Sequence, residues 1–290
     1  MAGGAGPAMA DQMDGLEERI AADVRELGRR ARGRCSPGPA GVRYLFVGGC
    51  PRSGTTAITT LLNDDERILL GQERFRRIRR MVEPFHFTEE VFFNPTTRET
   101  SWAMPWRGER VHPGTFAEYR ALRERWRSGS VEIMGDKAPY YSGELERLGS
   151  VFAGARFVIL VRDLHEVAAS YRRRAADPVD HWPAENDHRL ALRDWHEALR
   201  HARAFAQHQD RLLLVGHRRF FDGAPGELDR LYAFLGLDLP PAMRDRHTKL
   251  IEDATLRRAR AQPLPPPVAA ALDAERDREL EAWAEQAVTR

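Results

Sequence analysis

The chain has 290 residues, with 45 Lys+Arg against 43 Asp+Glu and a formal net charge of +2. That length can bury a full core as one large α/β domain or one domain with appendages, and the near-cancelled charge excludes the broad basic face of a general nucleic-acid binder. Two cysteines, Cys35 and Cys50, exclude a disulfide framework and point to a reducing, cytoplasmic setting; no apolar run approaches the ~18 residues of a membrane span, and the first residues lack the charged and apolar regions of a secretory signal.

In chain order, Leu16, Ile20, Val24 and Leu27 at three- and four-residue steps predict a surface helix over 12–33. The cluster Cys35-Ser-Pro-Gly-Pro-Ala-Gly41 breaks it, so 1–41 reads as an N-terminal helix and linker. A domain over 42–262 follows. It opens on a short apolar strand, Arg43–Val47, then the loop Gly48–Thr56, then a helical stretch. Further strands are expected at 131–134, 156–161 and 212–215, and helices at 115–127, 142–150, 163–175, 187–207 and 225–235. This alternation predicts a central parallel sheet flanked by helices. The aromatic, proline-rich stretch from 84 to about 130, with Phe92, Phe93, Trp102 and Trp106, reads as a substrate-side insertion or a satellite apolar cluster. The tail from 263 opens with prolines and ends in an Ala/Glu/Arg-rich helix. Lys137 and Lys249 are the two lysines among 45 cations. Such a bias suggests a GC-rich, bacterial-like genome, and asks why arginine does not serve at these two positions.

The loop carries the strongest signal. Gly48 and Gly49 permit a sharp turn, and Gly54 lets backbone N–H groups approach an anion closely. Thr55 and Thr56 open a helix whose unpaired amides and positive dipole end attract phosphate, and Arg52 adds a formal charge. The spacing approaches that of a nucleoside-triphosphate loop, but such a loop carries Lys where Thr55 stands. The expected strand 156–161 also ends in Arg162 before Asp163, and a cation there suits an anion better than a metal.

Gly49-Cys50-Pro51-Arg52-Ser53-Gly54-Thr55-Thr56 after a first strand resembles the 5′-phosphosulfate loop of the sulfotransferases that use 3′-phosphoadenosine 5′-phosphosulfate (PAPS), closest to the branch that includes the protein-tyrosine sulfotransferases. Arg162-Asp163 at a strand end, with Ser170 eight residues after Arg162, resembles that family's clamp on the ribose 3′-phosphate. Glu73, within Gly71-Gln72-Glu73, stands 21 residues after Arg52, where the branch places its catalytic carboxylate; Lys137-Ala138-Pro139-Tyr140 resembles its Lys-Asp-Pro-Phe. Trp195, LLLVGHRRF and LDRLYAFLGLDLP resemble the family's closing helix and last strand.

The resemblance implies a P-loop-like three-layer α/β fold and sulfuryl transfer to an acceptor hydroxyl, on a tyrosine, sugar, lipid or natural-product alcohol. It implies Arg52, Ser53, Gly54, Thr55, Thr56, Arg162 and Ser170 as donor-binding residues, and Glu73, Arg52 and Lys137 as catalytic ones. The product is 3′-phosphoadenosine 5′-phosphate (PAP), and no metal is implied. The chain departs from the pattern at Ala138, at His217-Arg218 where relatives often carry Tyr-Glu, and in the C-terminal segment over the nucleotide, to which Lys249, Arg257 and Arg258 could bring cations. From the residues alone, Glu73 also reads as a solvated acid on an amphipathic helix among the arginines at 74, 76, 77, 79 and 80, and His86 is a rival base or a packing residue. A kinase of a small alcohol and a non-catalytic nucleotide-binding module are the alternatives; the oligomeric state is open.

Overall fold

The computed structural model describes residues 41–93, 113–177, 182–183, 185–207 and 210–289. The expected helix over 12–33, the linker up to residue 40, and Trp102 and Trp106 lie outside the described residues. The chain divides into two units, one of Met1–Val42 and Glu73–Glu132 and one of Arg43–Gln72 and Ile133–Arg290.

The second unit holds a five-stranded parallel sheet. Its strands are β1 (Arg43–Gly49), β2 (Ile68–Gln72), β3 (Ile133–Lys137), β4 (Arg156–Val161) and β5 (Leu212–Gly216), in the order β2-β3-β1-β4-β5. Side chains alternate across it. Leu45 and Val47 join a cluster with Ile58, Leu62, Leu231 and Leu235 on one face. Phe46 turns to the other face, meeting Phe152 at 4.9 Å and Phe157 at 5.8 Å. These strands are buried on both faces, as parallel sheets are.

Helix α1 (Thr55–Asn63) follows β1 across the loop Cys50–Gly54. In the first unit come two 3₁₀ runs, Arg76–Met81 and Pro84–Phe87, then α2 (Glu89–Phe92) and α3 (Pro113–Ser128). The second unit continues with α4 (Leu145–Val151), α5 (Leu164–Ala175), α6 (His188–Ala206), α7 (His217–Phe221), α8 (Glu227–Leu235), α9 (Pro241–Ala259), α10 (Pro266–Glu275) and α11 (Arg278–Ala287). The expected tail helix is thus two helices. Leu272, Leu280 and Ala284 pack with Trp195 and Leu199 of α6, so the tail is part of the core.

Two expectations about strands change. Ile68–Gln72 was not foreseen as a strand; it is β2, pairing with β3 in register Gln72↔Lys137. The strand expected at 131–134 runs instead over Ile133–Lys137. Gly135 and Asp136, ordinary strand breakers, are held inside it. A Cβ on Gly135 would stand 1.7 Å from the Leu45 carbonyl oxygen, so only glycine lets β1 and β3 meet there. The buried Asp136 carboxylate accepts a hydrogen bond from the Tyr141 hydroxyl at 2.7 Å. The strand therefore extends to deliver Lys137 at its carboxyl end.

Candidate active site

The loop between β1 and α1 bends through left-handed backbone at Gly49 (φ 135°), Arg52 (φ 73°) and Gly54 (φ 92°). A Cβ at Gly49 would meet the Leu160 carbonyl oxygen at 2.6 Å, and one at Gly54 the Phe221 ring at 2.9 Å. Arg52 has no such freedom. Its conformation costs on the order of 1–2 kcal/mol and is held from both ends: its carbonyl accepts from Arg162 Nη1 at 2.8 Å, and its Nε donates to Ser170 Oγ at 3.1 Å. Strain retained in this way is a mark of functional loops. Gly54 caps α1 without a side-chain hydrogen bond, which leaves first-turn amides for an anion.

Arg162 follows β4 directly. Its Nε donates to Glu166 at 2.9 Å, and its carbonyl accepts from Trp195 Nε1 at 2.9 Å. Asp163 caps α5 by accepting the Glu166 N–H at 3.0 Å. Glu166 also accepts from Arg218 Nε at 2.8 Å. Burial pushes the Glu166 carboxyl up, but the hydrogen bonds from Arg162 and Arg218 outweigh it and leave the group below the ordinary carboxylate value.

Arg52, Gly54, Arg162 and Ser170 line one cleft of about 940 Å³, together with Arg173, Arg218, Arg257 and Arg258, and with Ala57, Phe221, Leu250 and Ala254 between them. A groove of about 510 Å³ shares Arg52, Gly54 and Arg257 and adds Thr55, Thr56, Lys249 and Arg246. Cations along the walls with apolar surface between them suit an anionic ligand that also carries an apolar or aromatic part. Lys137 is buried behind the loop, 2% exposed, and its Nζ donates to Thr56 Oγ1 at 3.1 Å. Ser53 is fully buried and lines neither space; its N–H closes the turn onto the Cys50 carbonyl at 3.1 Å.

Glu166 belongs to no motif of the sequence, and His217 and Arg218 stand there only as a departure from the family pattern. An Arg and a Glu four apart on a strand-to-helix turn was the available signal for Glu166. His217 lies in the cleft wall, its ring 4.6 Å from that of Phe221. Burial, then the nearby Arg162, pushes the imidazole down to about 3.

In the first unit, Glu73 follows β2 in left-handed backbone (φ 56°); it is not on an amphipathic helix. Nor are the arginines after it a uniform solvated face. Arg74 is fully buried, donating Nε to the Phe92 carbonyl at 2.8 Å and lying over the Phe75 ring. His86 is 1% exposed, stacked among Phe75 and Phe85, and its Nδ1 accepts the Glu83 N–H at 3.0 Å.

A model described as the sulfotransferase family matches residues 45–241. The chain belongs to the sulfotransferase family. The match runs from β1 to the start of α9 and contains the loop, Lys137, Arg162 and Ser170. Among solved structures, this sulfotransferase is similar to the sulfotransferase domain from the curacin biosynthetic pathway, at 18% identity and a TM-score of 0.47 over 70% of this chain and 76% of the other. It is similar to the sulfotransferase domain from the Synechococcus PCC 7002 olefin synthase, at 18% identity and 0.47 over 87% and 95%. Sulfotransferase STF9 from Mycobacterium avium matches at 16% identity and 0.46 over 81% and 72%. No curated protein sequence matches the chain. Among the described residues, no helix is long and apolar enough to cross a membrane.

Proposed function

We propose that this sulfotransferase carries a sulfuryl group from PAPS to the hydroxyl of an acceptor. The observation that carries the reading is the joining of two motifs 110 residues apart: Arg162 donates to the Arg52 carbonyl, and Arg52 donates to Ser170. Both arginines and the serine face one cleft, so a single anionic ligand can engage the loop and the β4 rim together. First-turn amides of α1, with Thr55 and Thr56, hold the 5′-phosphate. Arg162 and Ser170 hold the 3′-phosphate, a group that ATP lacks. Arg257 and Arg258 of α9 supply the cations that close over the nucleotide.

In transfer, Glu73 takes the proton of the acceptor hydroxyl as its oxygen bonds to sulfur, and the bond from sulfur to the phosphate oxygen breaks with its electron pair leaving on PAP. Arg52 and Lys137 meet the charge that grows on the sulfonate and bridging oxygens, where fixed cations lower the barrier most. Thr56 holds the Lys137 ammonium in its strand-end position, a point contact that a guanidinium fork would not copy. Glu73 is preferred to His86 because the His86 Nδ1 is already used inside a buried turn. The acceptor is a hydroxyl-bearing molecule, and Cys50, a buried free thiol, suits a reducing cytoplasm.

Thermal shift tests the donor reading. PAP should raise the melting temperature well beyond 5′-AMP or Mg-ATP, and Arg162→Ala should erase the difference, since one charge-assisted contact is worth about 1.5–3 kcal/mol. Equal stabilisation by AMP overturns the 3′-phosphate clamp; Mg-dependent ATP turnover favours the kinase.

A further inference from the structure

Next to the loop, three polar side chains are buried at an otherwise apolar cluster. Cys50, Tyr171 and Asp194 are 3%, 0% and 8% exposed and sit among Val167, Leu199 and Trp195. The Tyr171 hydroxyl donates to Asp194 Oδ2 at 2.9 Å, and Cys50 packs in the same buried cluster as Tyr171. Cys50 belongs to the loop, and its carbonyl accepts the Ser53 N–H. Tyr171 is the neighbour of Ser170, which accepts from Arg52. Asp194 is the neighbour of Trp195, whose indole donates to the Arg162 carbonyl. Adjacent residues of α6 therefore hold the Tyr171 hydroxyl, through Asp194, and the Arg162 backbone, through Trp195.

A carboxylate in that place is costly. Burial pushes the Asp194 carboxyl up, against the hydrogen bond from Tyr171 and the Arg193 guanidinium at 3.4 Å. A leucine would fill the volume with no such cost. What the polar chain adds is direction: a hydrogen bond fixes where Tyr171 points, whereas apolar packing tolerates sliding.

We infer that Asp194 and Tyr171 are positioning residues, which set the Cys50–Arg52 segment of the loop and Ser170 in the arrangement that receives the anionic donor. They touch no substrate and act through Cys50, Ser170 and Arg52. The inference rests on the donor reading above for its consequence, but the setting of the loop can be measured without donor.

The experiment uses the full chain in a Cys35→Ser background, so that Cys50 is the single thiol. Tyr171→Phe keeps the ring and removes the hydroxyl; Asp194→Ala removes the acceptor; Asp194→Asn keeps one. Three quantities are read: the rate of Cys50 alkylation by iodoacetamide, PAP affinity by calorimetry, and the melting temperature without ligand. Tyr171→Phe and Asp194→Ala should speed alkylation and weaken PAP binding, each by roughly tenfold, the effect of one lost hydrogen bond. Asp194→Asn should restore both to near the parent values. Variants that melt earlier yet bind PAP as the parent does would show a merely structural pair and overturn the inference. Unchanged alkylation in Tyr171→Phe would overturn it as well. If the parent itself does not bind PAP, the donor reading falls, and the alkylation rates still decide whether the pair sets the loop.

Discussion

In the proposed mechanism two charged side chains divide the chemistry, and kinetics should separate them. If Lys137 meets the charge that grows in the transition state, as proposed, Lys137→Ala should lower kcat by roughly 10²–10³ while PAP affinity changes little. Glu73→Gln keeps size and hydrogen-bonding reach and loses the proton-accepting charge, so transfer should fall by roughly 10²–10⁴ with PAP stabilisation preserved. A fully active Glu73→Gln would end the assignment. His217 makes a prediction about pH. Its folded-state value is depressed from 6.5 to about 3, by burial first and then by Arg162. Between those values the unfolded chain binds a proton that the folded chain refuses, so stability is complete above pH 6.5 and declines as pH falls toward 3. Ring resonances followed by NMR should show a neutral imidazole at pH 5, and PAP, whose phosphates offset the arginines, should raise its titration point. Titration near 6.5 without ligand would contradict the burial argument. Arg52, Lys137, Arg162 and Ser170 were legible because each sits in a short motif of unusual composition. The Trp195 hydrogen bond to Arg162 was not, because an indole on an amphipathic helix looks like any core residue until the fold brings it to a strand end.

At the scale of elements, what was legible follows from period. Helices α5, α6 and α8 bury a clear stripe each, and their expected spans agree with the observed ones within a few residues. Helix α9 buries only Met243 and His247 along its length, so no apolar period announced it. Strand β2 was missed because three apolar residues ending in Gly71-Gln72 are too short to separate a buried strand from a helical turn. The tail splits because Arg276 is extended and Asp277 caps α11 by accepting the Leu280 N–H at 3.0 Å. The β1–β3 contact makes the element-scale prediction. Gly135→Ala forces a Cβ onto backbone that cannot yield, so it should cost about 3 kcal/mol or more. At Gly154 (φ 72°), where a Cβ would meet nothing within 4 Å, Ala should cost about 1 kcal/mol from backbone strain alone. Urea unfolding of the two variants measures the contrast. Equal losses would mean that strand approach does not limit this sheet.

For the molecule as a whole, charge is nearly balanced at +2, yet Arg52, Arg162, Arg173, Arg218, Arg257 and Arg258 converge on one cleft. Several acids hold that cluster at tolerable cost: Glu166 takes Arg162 and Arg218, Asp222 pairs with Arg258, and Asp253 pairs with Arg257 at 3.6 Å. Under the proposed donor reading, attraction for the anion comes from a local field set against a neutral background, and a Debye length of about 10 Å at 0.1 M salt governs how far it reaches. PAP affinity should weaken by roughly tenfold between 50 and 500 mM NaCl, as ions screen the partly open cleft. The melting temperature of the ligand-free chain should move far less, because its exposed pairs contribute only about 0–1 kcal/mol each. Calorimetry with PAP at three salt concentrations, beside melting curves at the same three, makes the comparison. An affinity indifferent to salt would mean that hydrogen bonds and shape, with little help from the arginine cluster, hold the nucleotide, and the proposed roles of Arg257 and Arg258 would fall with it.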